Sequence, residues 1–137
     1  MARVEPESEP EPIPKEEFEA CLASGVSLFN EGEYMEAHET FERAWVSTHD
    51  SEADFFKGLI QCSICLYHYS RGNPDGAKKL YSGQRRLLSG FLPTHRGIDV
   101  EAFMTAMQET LRPVLRARGE DAPEFSLENR PRIERID

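Results

Sequence analysis

Between Phe29 and His68 the chain reads as two helices joined by a short polar break, and this segment limits the fold more than any other. The first stretch is F-N-E-G-E-Y-M-E-A-H-E-T-F-E-R-A-W and the second is F-F-K-G-L-I-Q-C-S-I-C-L-Y-H. Apolar residues recur at helical spacing in both, and each apolar face carries ionisable or amide side chains. A polar group taken out of water costs about 1–3 kcal/mol unless it finds a partner. His38, Glu42, Gln61 and His68 must therefore satisfy one another or hold something.

The flanks continue the helical pattern. Phe18, Leu22, Gly25, Val26 and Phe29 describe an amphipathic helix that starts at Lys15 and stops near Asn30-Glu31-Gly32. A second helix is predicted from about Glu33 to Ser47, with Tyr34, Phe41 and Trp45 on its apolar stripe. The third starts at Asp50 or Ser51, with Asp54 completing a capping-box variant, and runs to Ser70. Gly72 stops it; Asn73 caps and Pro74 opens the fourth. Ala77, Leu80, Tyr81, Gln84, Leu87, Leu88 and Phe91 carry that helix to Pro93. Asp99 caps a fifth, with Phe103, Met107, Leu111, Val114 and Leu115 facing inward, and Pro113 should kink it or end its regular part. No strand pattern appears.

The fold class that follows is all α: a compact bundle of about five helices, made of two helical hairpins plus a closing helix. A weak repeat supports it, since Gly32, Ala37 and Phe41 correspond to Gly72, Ala77 and Tyr81. The spacing resembles one tetratricopeptide hairpin, but a solenoid wants about three or more copies and two favour a bundle. Residues 15–118 form the helical domain. Residues 1–14, with four prolines and four glutamates, read as a disordered acidic arm. Residues 119–137 read as a polar tail in which Phe125, Leu127 and Ile133 can dock, although no periodicity links them.

Charge and cysteine usage exclude several classes. A net charge of −9 argues against nucleic acid and against anionic membrane surfaces. The apolar stretch around Leu59–Leu66 is interrupted by Gln61 and Ser63 and falls far short of the ~20 residues of a span; no charged-then-apolar leader opens the chain. Cys62 and Cys65 form a C-x-x-C in mid-helix with no second pair, and with Cys21 they are most simply small core residues. Free thiols without a leader point to the cytoplasm. Twelve of the sixteen basic residues are Arg. An acidic, Lys-poor surface resembles that of proteins from salt-accumulating cells, the alternative being an ordinary acidic protein.

At about 100° per residue, His38 sits within the Tyr34–Phe41–Trp45 stripe, Glu42 lies one turn on, and Glu39 falls at the edge. On the third helix Asp54, Lys57, Gln61 and His68 share a line opposite an apolar side. Antiparallel packing would bring the two polar lines face to face, walled by Trp45 and Tyr34. Three uses compete. His38 can donate to Glu42 or Gln61 in a self-satisfied buried network. His38 and Glu42, with His68 as third ligand, could hold a divalent metal. Lys57, Gln61 and His68 could instead read a small anion or polar metabolite. The H-E-x-x-E run resembles a zinc-protease motif only superficially, because Glu42 stands where the second His would be. Ser63 has no evident base for nucleophilic chemistry.

The runs G-E-Y-M-E-A-H-E-T-F-E-R-A-W, F-F-K-G-L-I-Q and H-Y-S-R-G-N-P-D-G-A-K-K-L resemble the family known as domain of unknown function 309, a small all-helical family of bacteria and archaea. The resemblance covers about Phe29 to Leu88, with Gly97-Ile98-Asp99 fitting a further element. It implies polar family positions at His38, Glu39, Glu42, Gln61 and His68, an aromatic wall at Tyr34 and Trp45, and a turn at Gly72, Asn73, Gly76 and Ala77. Phe41 and Ile64-Cys65 depart from the family pattern in size, which would reshape packing and leave the polar line alone. A fold and candidate positions are implied, and no reaction.

The expectation is therefore a small cytoplasmic helical protein that binds a small ligand or a protein partner. Its candidate pocket is His38, Glu39, Glu42, Trp45, Lys57, Gln61 and His68. No cofactor is required, and a second copy of the chain stays open as the partner. The alternative is a metal-dependent, hydrolase-like enzyme centred on His38, Glu42 and His68.

Overall fold

Small residues decide how closely the helices of this chain meet. The computed structural model describes residues 13–118 and 121–136. Its helices are α1 (Lys15–Asn30), α2 (Tyr34–Trp45), α3 (Glu52–Ser70), α4 (Pro74–Ser89) and α5 (Val100–Arg116). A Cβ at Gly25 of α1 would collide with the Phe41 ring of α2, and one at Gly58 of α3 would lie 2.7 Å from Leu88 of α4. Both helix pairs approach over a glycine. α3 packs between α2 and α4, and α5 closes the assembly against α4. The result is the expected all-α bundle of two hairpins and a closing helix.

The core is aromatic. Phe29, Phe41, Phe55, Phe56 and Phe103 are fully buried, and burial of each such ring contributes about 1.5–3 kcal/mol. They meet edge to face, Phe18 with Phe56 at 5.0 Å and Phe29 with Phe103 at 5.3 Å between centroids. Two caps stand as read from the sequence. Asn73 accepts from Gly76 N at 3.1 Å ahead of Pro74, and Asp99 accepts from Ala102 N at 2.9 Å.

Four expectations change. Ser51 precedes α3 without a side-chain cap bond, so the capping box expected with Asp54 does not form, and Asp54 N–H donates to the Ser51 carbonyl instead. A two-stranded antiparallel ribbon, β1 (Thr94–His95) and β2 (Ile98–Asp99), precedes α5. Its turn residues Arg96 and Gly97 have φ of 50° and 74°, the pair of positive values a tight hairpin needs. Strands of two residues are too short to leave an alternating pattern. α5 passes regularly through Pro113 to Arg116. The proline withholds an N–H from the Glu109 carbonyl, but both residues border an open cleft rather than the core. Trp45, expected in an aromatic wall, is 36% exposed.

The C-terminal segment is pinned to the helices. Ile133 is 2% exposed, Phe125 is half-buried and Leu127 is 53% exposed. The Asn30 side chain donates to the Ile133 carbonyl at 2.9 Å and accepts from the Ile133 N–H at 2.7 Å. Arg130 Nε donates to the Asn30 carbonyl at 2.6 Å, capping the end of α1. Further on, Asp99 N–H donates to the Glu134 carbonyl at 3.0 Å and Ile136 N–H to the Gly97 carbonyl at 2.7 Å, so the segment finishes as a third line beside the ribbon. Most of the acidic arm expected over residues 1–14 lies outside the described residues, as do residues 119, 120 and 137. Among the described residues no helix is long and apolar enough to cross a membrane.

Candidate functional site

The buried stripe of α2 is Tyr34, Ala37, Phe41 and Ala44. Reading the aromatic residues alone placed that stripe too far round the helix. Ala37 and Ala44 face the core because α2 packs closely there, and this turns His38, Glu42 and Trp45 toward the edge. The His38 side chain is 21% exposed and that of Glu42 51%. Their contact is 3.0 Å from His38 Nε2 to Glu42 Oε2. A carboxylate only accepts, so Nε2 carries the proton, and in the neutral ring Nδ1 is left as an acceptor. That Nδ1 is buried with no hydrogen-bond partner. A shallow groove of about 320 Å³ runs along this side, lined by His38, Glu39, Glu42, Arg43 and Val46. Arg43 is also paired with Glu17 of α1.

Gln61 and His68 are engaged elsewhere. A Cβ at Gly83 of α4 would lie 2.8 Å from Gln61 Oε1, and one at Gly76 would lie 2.9 Å from His68 Cγ. Two residues seven apart on α3 thus face two glycines seven apart on antiparallel α4. Gln61 Oε1 is buried without a partner. His68 Nδ1 accepts from Asn73 Nδ2 at 3.3 Å, while Asn73 Oδ1 caps α4. His68 therefore steadies the capping amide. Lys57 and Asp54, on the same side of α3, are exposed.

The two polar lines are not joined. Among the described residues no hydrogen bond or ion pair links His38 or Glu42 to Gln61, His68 or Lys57, and Trp45 walls neither group. Nor do three His, Cys, Asp or Glu side chains among the described residues converge as a metal site. The set of His38, Glu42 and His68 fails because His68 is directed to the α4 cap. Cys62 and Cys65 are free and buried, and burial pushes the Cys65 thiol up to about 12 and the Cys62 thiol well above its ordinary value. Both stay protonated, as small core residues do.

Sequence reasoning missed a second polar cluster. Glu52, at the start of α3, accepts from His95 Nε2 at 3.0 Å and from Arg96 Nε. Arg96 also donates to Glu19 of α1 at 2.5 Å and lies over the Phe18 ring, 4.5 Å from its centroid. His95 meets Phe55 at 4.6 Å and Phe91 at 4.7 Å. Burial pushes the Glu52 carboxyl up, but the hydrogen bonds and charges of Arg96 and His95 outweigh it and hold the group below its ordinary value. This cluster clamps the ribbon across α1 and α3. The Arg96-Gly97 pair between Pro93 and Asp99 was the available signal of a tight turn.

Residues 22–80 match the family model described as Domain of unknown function (DUF309). The resemblance read from the sequence therefore holds over the first four helices as far as Leu80. Two curated relatives are similar. The uncharacterized protein YpuF of Bacillus subtilis (strain 168) is 32% identical over 68 residues, covering 49% of this chain and 37% of its own length. An uncharacterized protein of Aquifex aeolicus (strain VF5) is 24% identical over 91 residues, covering 66% of this chain and 27% of its own length. The chain thus spans well under half the length of these relatives.

Proposed function

We propose that this chain, similar over residues 22–80 to a helical family without a defined chemistry, holds a protein partner on the outer side of α2. One observation carries the reading. Met35, Trp45 and Val46, three of the six large hydrophobic residues exposed among the described residues, gather on that side with His38. Their positions fall within about a third of the helix circumference. Exposed Met and Trp beside ionisable groups are what protein interfaces concentrate.

The groove there is lined by residues of α2 and its first following residue alone. One helix cannot surround a metabolite, whereas small-molecule sites bury most of their ligand. A flat or helical partner surface fits better. Glu39 and Glu42 favour a partner that brings Arg or Lys to the rim. The three free, buried thiols fit a reducing compartment such as the cytoplasm.

The test uses photo-crosslinking from position 39 in cells, with and without Trp45→Glu and Met35→Glu. The reading expects a discrete crosslinked partner that disappears in both variants while the unfolding midpoint stays put. Identical crosslinks in wild type and variants would remove α2 as the contact.

A further inference from the structure

The C-terminal segment sits on the helices as a bound peptide would. Its hold is mostly on main chain: Asn30 reads both the N–H and the carbonyl of Ile133, and Gly97 and Asp99 read the backbone at 136 and 134. Arg130 and Arg132 donate from their side chains to the Asn30 carbonyl, and apolar anchoring comes from two positions. Phe125 lies between Tyr34 and Tyr69, with centroid distances of 5.9 and 5.2 Å, and Ile133 is buried. Such recognition, with backbone bonds for affinity and alternate pockets for side chains, suits extended segments in general.

The fit is incomplete. Clefts of about 570 and 680 Å³ flank the stretch from Pro123 to Phe125, one bordered by Glu109 and Thr110 of α5 and the other by Asn73 and Asp75 at the start of α4. Tyr34, 2% exposed and edge-on to Phe125, has a phenolic oxygen with no partner. The anchoring run Arg130–Arg135 contains three Arg and one Glu, against a chain of net charge −9. We propose that this groove is a peptide-binding site, occupied in cis by residues 122–136 and open in trans to an extended basic segment of another protein bearing an aromatic anchor and, eight positions on, a branched aliphatic one.

A tethered segment competes at an effective concentration on the order of millimolar. A second copy of the same segment brings no extra contact and cannot win. A foreign segment wins by filling the two clefts and supplying the Tyr34 hydroxyl with a partner. The site is distinct from the outer side of α2 and does not depend on it.

The experiment titrates a fluorescent peptide with the sequence of residues 121–136 into the full chain and into its Phe125→Ala/Ile133→Ala variant. The variant, whose own segment is loosened, should bind at least tenfold tighter than wild type, and a peptide carrying the same two alanines should not bind. Equal binding by both proteins would overturn the proposal. Hydrogen exchange on the wild type gives the answer even where the variant does not fold. The amides of Ile133 and Ile136 should exchange at least tenfold faster than that of Phe41, through opening of the segment alone; equal rates would overturn the site as exchangeable. Light scattering separates the sources, because a dimer abolished by Phe125→Ala would overturn the foreign segment in favour of exchange between copies.

Discussion

Gln61 packs against Gly83 so closely that its amide oxygen lies 2.8 Å from the place a Cβ would take. The same α3–α4 contact that makes room for this side chain leaves its oxygen buried and unpartnered. The room comes from α4, which presents hydrogen where any other residue would present carbon.

Glycine contacts in this bundle differ in kind, so alanine should act in opposite directions. At Gly83 the obstacle is the far end of a flexible side chain, which can swing aside, and alanine gains about 0.5–1 kcal/mol of helix preference. At Gly25 the obstacle is the fully buried Phe41 ring, and overpacking there should cost about 1–3 kcal/mol. Urea unfolding of Gly83→Ala and Gly25→Ala checks this. Equal destabilisation by both would show that Gln61 is fixed in place.

Gln84 is 1% exposed, and its Oε1 has no partner while its Nε2 reaches only Cys65 Sγ at 4.0 Å. A buried acceptor left unpaired costs about 1–3 kcal/mol. Gln84→Met keeps the shape and removes that cost, so the variant should be more stable than wild type. A fall in the denaturant midpoint would mean that the amide is satisfied in solution.

Glu42 and His68 should separate in mutational cost. The His38–Glu42 pair is an i, i+4 contact with the carboxylate half exposed, and such pairs contribute about 0.3–0.5 kcal/mol. Glu42→Ala should cost no more than that. His68→Ala releases the amide that caps α4, and a cap is worth about 1 kcal/mol. Thermal unfolding of both variants decides, and a larger loss for Glu42→Ala would restore a buried network on α2.

Glu52 on the acid side and Tyr34 on the alkaline side each make the stability depend on pH. Glu52 has a folded pKa below its ordinary value of 4.5, so its stabilisation is fully present above that value and drains away as the pH falls through the lower, folded one. Glu52→Gln should flatten the acid limb of the stability curve. For Tyr34, burial pushes the phenol from 10.0 up to about 12, against the pull of Arg130 and Arg132. Its contribution is intact below pH 10.0 and is lost as the pH rises toward about 12. Tyr34→Phe should extend the alkaline limb and, with no buried hydroxyl left unpaired, should not weaken the protein at neutral pH. Unchanged limbs in either variant would assign the pH limits to other groups.

The helices were legible because each carries its own signal: the apolar period of α1, Asn73-Pro74 before α4, Asp99 before α5. The faces were less so. Large residues draw the eye to Tyr34, Phe41 and Trp45, whereas close packing is set by Ala37 and Ala44, whose small size reads as neutral in a sequence. That shift separated His38 and Glu42 from Gln61 and His68, which share one line of α3 as read but spend their contacts on α4. The Glu52–Arg96–Glu19 clamp was hidden because its members stand 33 to 77 residues apart, and spacing within one helix cannot bring them together. The docking of Phe125 and Ile133 left no period because an extended segment held by its main chain needs none.

The bond between Asn30 and Ile133 spans 103 positions, and it orders events during synthesis. α1 to α4 contact their sequence neighbours and can assemble as they leave the ribosome. The end of α1, however, waits for Arg130 and Ile133 to cover it. Until residues 125–133 have been made and have left the ribosome, Tyr34, Tyr69 and the end of α1 lack the cover that Phe125, Arg130 and Ile133 give them, so this side of the bundle is the last to close.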